Sequence, residues 1–216
     1  GAKLNTLEEP ETIFHDIYEI TPSMILGGPR QWEGWVSKIR AKIEEAGGLE
    51  KLVYKTLMPV AFKVGKAVEE GVKIPLWERI VHWFVDLILL QAIRDKLGVT
   101  KCRFAITAGS VTGTDTIAFM NSIGVRLRQV YGSTEGGMIS GHRSDSIQSK
   151  TIGPPLPGVE VRVSKNGEIL IRSPYLFSGY HKNQESYEKT VREGWWHSGD
   201  AGRIDEQGHL VYMDRV

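Results

Sequence analysis

The segment Tyr131-Gly132-Ser133-Thr134-Glu135-Gly136-Gly137 gathers an aromatic ring, two hydroxyls and one carboxylate into a few residues. The ring can stack on a nucleobase and the hydroxyls can hold a phosphate. The carboxylate can hold Mg²⁺, an ion that takes one or two carboxylates and keeps water and phosphate oxygens around it. Residues 125–130, just before, are apolar enough to read as a strand. A turn closing a strand is where an open α/β sheet places its ligands. Taken alone, the segment is also ordinary loop punctuation, because Gly-Ser and Gly-Gly clusters mark turns generally.

Two later segments carry further polar groups. Gly194-Trp195-Trp196-His197-Ser198-Gly199-Asp200 ends on a carboxylate, and Asp214-Arg215 adds a guanidinium near the end of the chain. His197, Ser198 and Asp200 do not form a hydrolase triad by adjacency, since neighbouring residues of a strand face opposite ways. A Gly-x-Ser-x-Gly elbow, a Walker loop and a Gly-x-Gly-x-x-Gly fingerprint are all absent from the sequence.

The elements that must position these residues fall into two textures. Trp32, Trp35, Val36, Ile39 and Ile43 keep helical spacing, and Gly47-Gly48 is expected to end that helix. A second helix follows from Leu49, Leu52, Val53, Val60, Val64 and Val68, with a kink expected at Pro59. A third is read over 76–97, with Pro75 at its start and Gly98 at its end. It is too short to span a bilayer. A buried helix is favoured over one lying on a membrane, because its polar face lacks Lys/Arg enrichment. Strands over 103–107 and 125–130 flank a helix over 115–122, a β-α-β unit expected to be parallel and right-handed. Beyond Pro154-Pro155, alternating Val159, Val161 and Val163, then Ile169 and Ile171, read as antiparallel sheet. A helix capped by Asn183 is expected over 183–192, and a hairpin over 201–214. The fold class is therefore α/β. Residues 1–150 form a partial α/β subdomain with a helical insertion over about 32–97, and 151–216 form a smaller antiparallel, barrel-like subdomain.

Charge is nearly balanced, with 27 basic and 26 acidic residues, which argues against a nucleic-acid partner. The single Cys102 cannot close an internal disulfide, so a reducing, cytoplasmic compartment is expected, with peripheral contact at the inner membrane face as the alternative placement. Cys102 sits in an apolar run and reads as a packed thiol rather than a nucleophile. The start, Gly1-Ala2-Lys3, has no initiator Met and reads as the interior of a longer protein.

Together these motifs resemble the adenylate-forming (acyl-activating) superfamily. Tyr131 to Glu135 matches its Tyr-Gly-x-Thr-Glu motif, and Trp195 to Asp200 its Trp-x-x-Thr/Ser-Gly-Asp motif. Between them, Gly167-Glu168-Ile169-Leu170-Ile171-Arg172 and Gly179-Tyr180 match its Gly-Glu-Ile and Gly-Tyr segments. Pro22-Ser23-Met24-Ile25-Leu26-Gly27-Gly28-Pro29-Arg30-Gln31-Trp32-Glu33 and the helical insertion are similar to the long-chain fatty acyl-CoA synthetase branch. The resemblance implies ATP-dependent activation of a long-chain fatty acid to an acyl-adenylate, then transfer to coenzyme A, with ATP, Mg²⁺ and coenzyme A as cofactor and co-substrates. A ligase loading a carrier protein, or a non-catalytic nucleotide- or acyl-binding module, stays open beside it. The resemblance further implies Tyr131 against the adenine, Gly132, Ser133 and Thr134 around the nucleotide, Thr134 on phosphate and Glu135 on Mg²⁺. Asp200 and Arg215 match the groups that reach the ribose. Ala108-Gly109-Ser110 resembles the segment lying along adenine and acyl chain, although Val111-Thr112-Gly113 departs from the usual Pro-Leu. The family's upstream phosphate loop and its C-terminal, lysine-bearing domain have no counterpart here, and Arg215-Val216 falls at the hinge between its domains. The chain alone is therefore expected to be inactive or nearly so.

Overall fold

A computed structural model describes residues 3–6, 8–9, 11–143 and 147–215. Gly1, Ala2 and Val216, on which two expectations about the termini rest, lie outside the described residues. The chain is mixed α/β and divides into two units, residues 1–106 with 112–127 and residues 107–111 with 128–216.

In the first unit, Trp32 and Trp35 on helix α2 (Pro29–Glu45) are fully buried, edge to face with ring centroids 4.5 Å apart. The Trp32 indole N–H donates to the carbonyls of Gly27 and Ile106, both at 3.3 Å, which satisfies its polar edge in the core. A helix α1 (Ile13–Ile20) and a short strand β1 (Met24–Gly27) precede α2. Their short length hid both from the sequence. Strand β1 neighbours β2 (Phe104–Thr107). Helix α2 ends at the expected place, with Ala46 as its C-cap directly before Gly47-Gly48; Gly47 also caps the start of α3 (Gly48–Glu69), and that helix continues through Pro59.

The stretch expected as one helix over 76–97 is α4 (Leu76–Val85), a π-helical turn (Asp86–Leu90) and α5 (Gln91–Leu97) in unbroken succession. The π turn places Asp86 where Arg94 grips both carboxylate oxygens, at 2.7 and 3.0 Å, while the same guanidinium donates to the Ile123 carbonyl at 2.8 Å. That guanidinium holds the Asp86 carboxyl below its ordinary range. The expected burial holds for one face only. Val85, Leu89, Leu90, Ile93 and Leu97 are buried, whereas Trp77, Trp83, Phe84, Leu87 and Ile88 are exposed. Among the described residues, no helix is long and apolar enough to cross a membrane. Helix α6 (Thr114–Ser122) follows β2.

The second unit is built on β-structure. Strand β3 (Leu127–Ser133) extends into the start of the motif read as a turn, the turn itself falls at 134–136, and β3 pairs antiparallel with β4 (Gly137–Gly141). The remaining strands are β5 (Glu160–Val163), β6 (Glu168–Arg172), β7 (Val191–Arg192), β8 (Trp195–Ile204) and β9 (Leu210–Arg215). They form an antiparallel sheet in the order β5-β6-β8-β7, with β9 on β8. Helix α7 (Gln184–Thr190) is shorter than expected. Asn183 caps it by accepting the Ser186 N–H at 3.1 Å, and the chain turns into β7 at Val191. Tyr131, Ile139, Ile152, Ile169, Ile171, Trp196 and Leu210 form the core, so the motif strand, β6, β8 and β9 share one apolar centre. Beside it, the Thr151 hydroxyl lies 3.2 Å from both His142 Nε2 and His209 Nδ1.

Two predictions follow from burial. The Cys102 thiol, 3.5 Å from the Phe104 carbonyl, is pushed up to about 11 chiefly by burial. Because the thiolate is the reactive form, Cys102 should react with Ellman's reagent at pH 8 about two orders of magnitude more slowly than a free cysteine. A rate near that of a free thiol would contradict this. Burial also holds His142 below its ordinary 6.5, helped by His209 and Arg128. Between the depressed folded value and 6.5 the unfolded chain binds more protons, so stability is full above about pH 6.5 and falls as the pH drops through that window. Urea denaturation at pH 7.5 and 5.5 should show this loss, and His142→Gln should reduce it.

Candidate functional site

Strand alternation turns the Tyr131 ring into the core of the second unit, and its hydroxyl donates to Asp200 Oδ2 at 2.6 Å. Burial first, then this bond, raises the Tyr131 phenol well above its ordinary value, so it stays a proton donor at neutral pH. Gly132 sits where the two strands of the hairpin cross closely. A Cβ there would lie 2.4 Å from the Gly137 carbonyl oxygen and 3.2 Å from Met138 Cα. The pairing register also shifts between Tyr131 and Gly132. The Ser133 hydroxyl accepts the Gly136 N–H at 3.0 Å and closes the hairpin tip. Thr134 is exposed on that tip. Glu135 is steadied twice: its carbonyl accepts the Phe177 N–H at 2.8 Å, and its Oε1 accepts the Tyr180 hydroxyl at 3.1 Å.

Asp200 is delivered by an irregularity in the facing sheet. Leu170 pairs with His197 and Glu168 with Ala201, so β8 takes four steps where β6 takes two. Ser198, Gly199 and Asp200 bulge out between those pairs. Gly199 there adopts φ 69°, a conformation that favours glycine. The Ser198 hydroxyl donates to the Ile169 carbonyl at 2.7 Å and accepts the Asp200 N–H at 3.1 Å. Glu168 Oε1 accepts the Gly199 N–H at 3.0 Å, and its Oε2 lies 3.0 Å from His197 Nδ1. Asp200 faces Arg215 across the β8–β9 pair, with Arg215 Nε 3.2 Å from Asp200 Oδ1. The Asp200 side chain is 11% exposed and that of Arg215 78%.

Ser133, Glu135, Asp200 and Arg215 line one cavity of about 470 Å³, together with Glu168, Tyr180, Lys189, Arg192 and His197. Tyr131 stands behind Asp200, and Gly132 shapes the hairpin. Gly109, with φ 97°, and Ser110 are exposed in the 107–111 segment of the same unit and do not line this cavity. Sequence reasoning assigned no role to Glu168, Tyr180 or His197. Their signal was position inside the Gly-Glu-Ile, Gly-Tyr and Trp-x-x-Ser-Gly-Asp segments, but which atoms they touch depends on strand register.

Among the described residues, no group of three or more His, Cys, Asp or Glu side chains could hold a metal ion alone. Glu135 offers one carboxylate at the cavity edge. That donor set fits Mg²⁺ completed by phosphate oxygens and water, and does not fit an ion caged by protein.

Comparison with known proteins gives the family. The AMP-binding enzyme family matches residues 1–181. The chain is 27% identical over 224 residues to fadD11 of Mycobacterium tuberculosis, named as a fatty-acid–CoA ligase, covering all of this chain and 38% of that protein. It is 28% identical over 217 residues to long chain acyl-CoA synthetase 1 of Arabidopsis thaliana, covering 93% of this chain and 32% of that protein. Among solved structures, ATP-bound MatB of Rhodopseudomonas palustris aligns with a TM-score of 0.51 and 28% identity over 61% of this chain and 29% of its own. The chain thus spans 38% of the length of fadD11, and less of the others. On the family match, which takes in most of the chain, the chain belongs to the AMP-binding enzyme family.

Proposed function

We propose that the second unit forms the adenosine-and-metal side of an ATP site used to activate a long-chain fatty acid. The observation that carries this reading is the Asp200 carboxylate, buried and braced at the wall of a cavity that Glu135 also lines. A carboxylate has about four acceptor positions, so Asp200 can keep the Tyr131 and Arg215 bonds and still accept two vicinal ribose hydroxyls. Arg215 lies beside the same sugar. Tyr131 and Gly132 back the adenine, with Gly109 and Ser110 along adenine and acyl chain, and Ser133 and Thr134 donate hydroxyls to phosphate. Mg²⁺ held at Glu135 would supply charge neutralisation at the phosphates.

The chemistry needs alignment more than proton transfer. A fatty carboxylate oxygen forms a bond to the α-phosphorus as the α–β phosphoanhydride bond breaks and pyrophosphate leaves. The thiol sulfur of coenzyme A then bonds to the acyl carbon, the acyl–phosphate oxygen bond breaks, AMP leaves and the thiol proton is released. Ligases of this family use ATP and coenzyme A in this way. Long-chain acids are favoured because the relatives covering nearly the whole chain carry fatty-acid and long-chain names. We assign the complete reaction to a protein of those relatives' length.

Trp196 lines the cavity and reports on it. Titration with AMP should change tryptophan emission saturably, and Asp200→Asn should weaken AMP about 10- to 100-fold, as loss of charged hydrogen bonds predicts. ATP–pyrophosphate exchange with palmitate by this chain alone should be negligible. Unchanged AMP affinity in the variant would overturn the site, and vigorous exchange would overturn the assignment of the reaction to a longer protein.

A further inference from the structure

We infer that Glu168 is a positioning residue for the ribose-binding carboxylate, acting through the backbone of Gly199; this rests on the reading of Asp200 given above. Three observations lead to it. First, Asp200 is the last of three residues that bulge from β8 opposite β6, and a bulge leaves backbone groups without ladder partners. The Gly199 N–H is such a group, and Glu168 Oε1 accepts it at 3.0 Å. Second, the other Glu168 oxygen is engaged as well, 3.0 Å from His197 Nδ1, at the residue where the bulge begins. One carboxylate thus holds both ends of the two-residue step into Asp200. Third, the Glu168 side chain is only 21% exposed and lines the same cavity without reaching Asp200 through any bond of its own. Its neighbours in charge are His197, Lys189, Arg192, Arg215, Glu135 and Asp200, all on the cavity wall.

Held this way, the Gly199 peptide presents Asp200 at a fixed height above β6. Without the Glu168 acceptor the bulge can relax, and Asp200 turns away from the place where it meets two hydroxyls at once. The bond at stake is an N–H to carboxylate oxygen contact. A glutamine preserves it with its own carbonyl oxygen, and the glutamine amide can still meet His197. Reach is therefore required at this position and negative charge is not.

The test compares adenosine with 2′,3′-dideoxyadenosine on this chain by tryptophan emission. The unaltered chain is expected to prefer adenosine about tenfold or more. Glu168→Ala should bring the two ligands within about twofold of one another while leaving dideoxyadenosine affinity unchanged, and Glu168→Gln should restore most of the preference. Glu168→Asp, which keeps the charge and shortens the arm by one methylene, should lose most of it and covers the case in which the alanine variant does not fold. Equal weakening of both ligands, an undiminished preference in Ala and Asp, or failure of Gln to rescue would each overturn the inference. No preference in the unaltered chain would overturn the Asp200 reading itself, and this inference with it.

Discussion

The hydrogen bond from the Tyr131 hydroxyl to Asp200 joins a hairpin to a sheet through a buried carboxylate. Tyr131 comes from β3 and Asp200 from the bulge of β8, 69 residues apart. Neither group is acceptable alone in that position. A buried carboxylate without partners and a buried phenol without an acceptor each cost several times what the paired arrangement does. Once paired, they hold the hairpin tip bearing Ser133 and Glu135 against the strand bearing Asp200, and the cavity between them takes its shape from that contact. The apolar residues around the pair, Ile139, Ile169, Ile171, Trp196 and Leu210, keep water from competing for it.

Polar chemistry enters this unit where regular pairing breaks. The register shifts at Tyr131–Gly132, at Glu168–Leu170 and at Ala201–Gly202 all lie within the few residues that carry or brace the cavity. A regular antiparallel ladder would place each of these side chains by alternation alone, half into the core and half into solvent. On β8 the alternation runs unbroken from Trp196 to Gly202, and the bulge there leaves backbone groups beside the Asp200 carboxylate without ladder partners. Their cost is met by side chains that adopt the orphaned backbone groups, Ser198 for Asp200 and Glu168 for Gly199.

The first unit is organised by a different constraint, the closing of polar groups inside helices. Arg94 serves Asp86 and the Ile123 carbonyl together, so the π-helical turn and the end of α6 are tied by one guanidinium. The same turn rotates the helix so that Val85, Leu89, Leu90 and Ile93 continue one buried face. Residues 80–90 are apolar apart from His82 and Asp86, and periodicity alone could not tell which side of that stretch packs. Only the observed partners separate the buried stripe from exposed Trp77, Trp83 and Phe84.

By itself, the sequence determined the class of fold, most of the helices and the main strand stretches, and the motifs of the adenylate-forming superfamily. These depend on local pattern: helical spacing at Trp32 to Ile39, alternation at Val159 to Val163, and the residue types around Glu135 and Asp200. Its motifs also singled out Tyr131, Glu135, Asp200 and Arg215, of which the structure places the last three on one cavity and Tyr131 behind Asp200. The direction each side chain takes was decided by tertiary structure alone. Tyr131 lies in a strand that extends to Ser133, just before the turn at 134–136, so its ring enters the core and its hydroxyl finds Asp200. Glu168 and Tyr180 became part of the site through register and packing, to which neighbouring letters are blind. The physical reason is that strand register and the position of a bulge are set by partners far away in sequence.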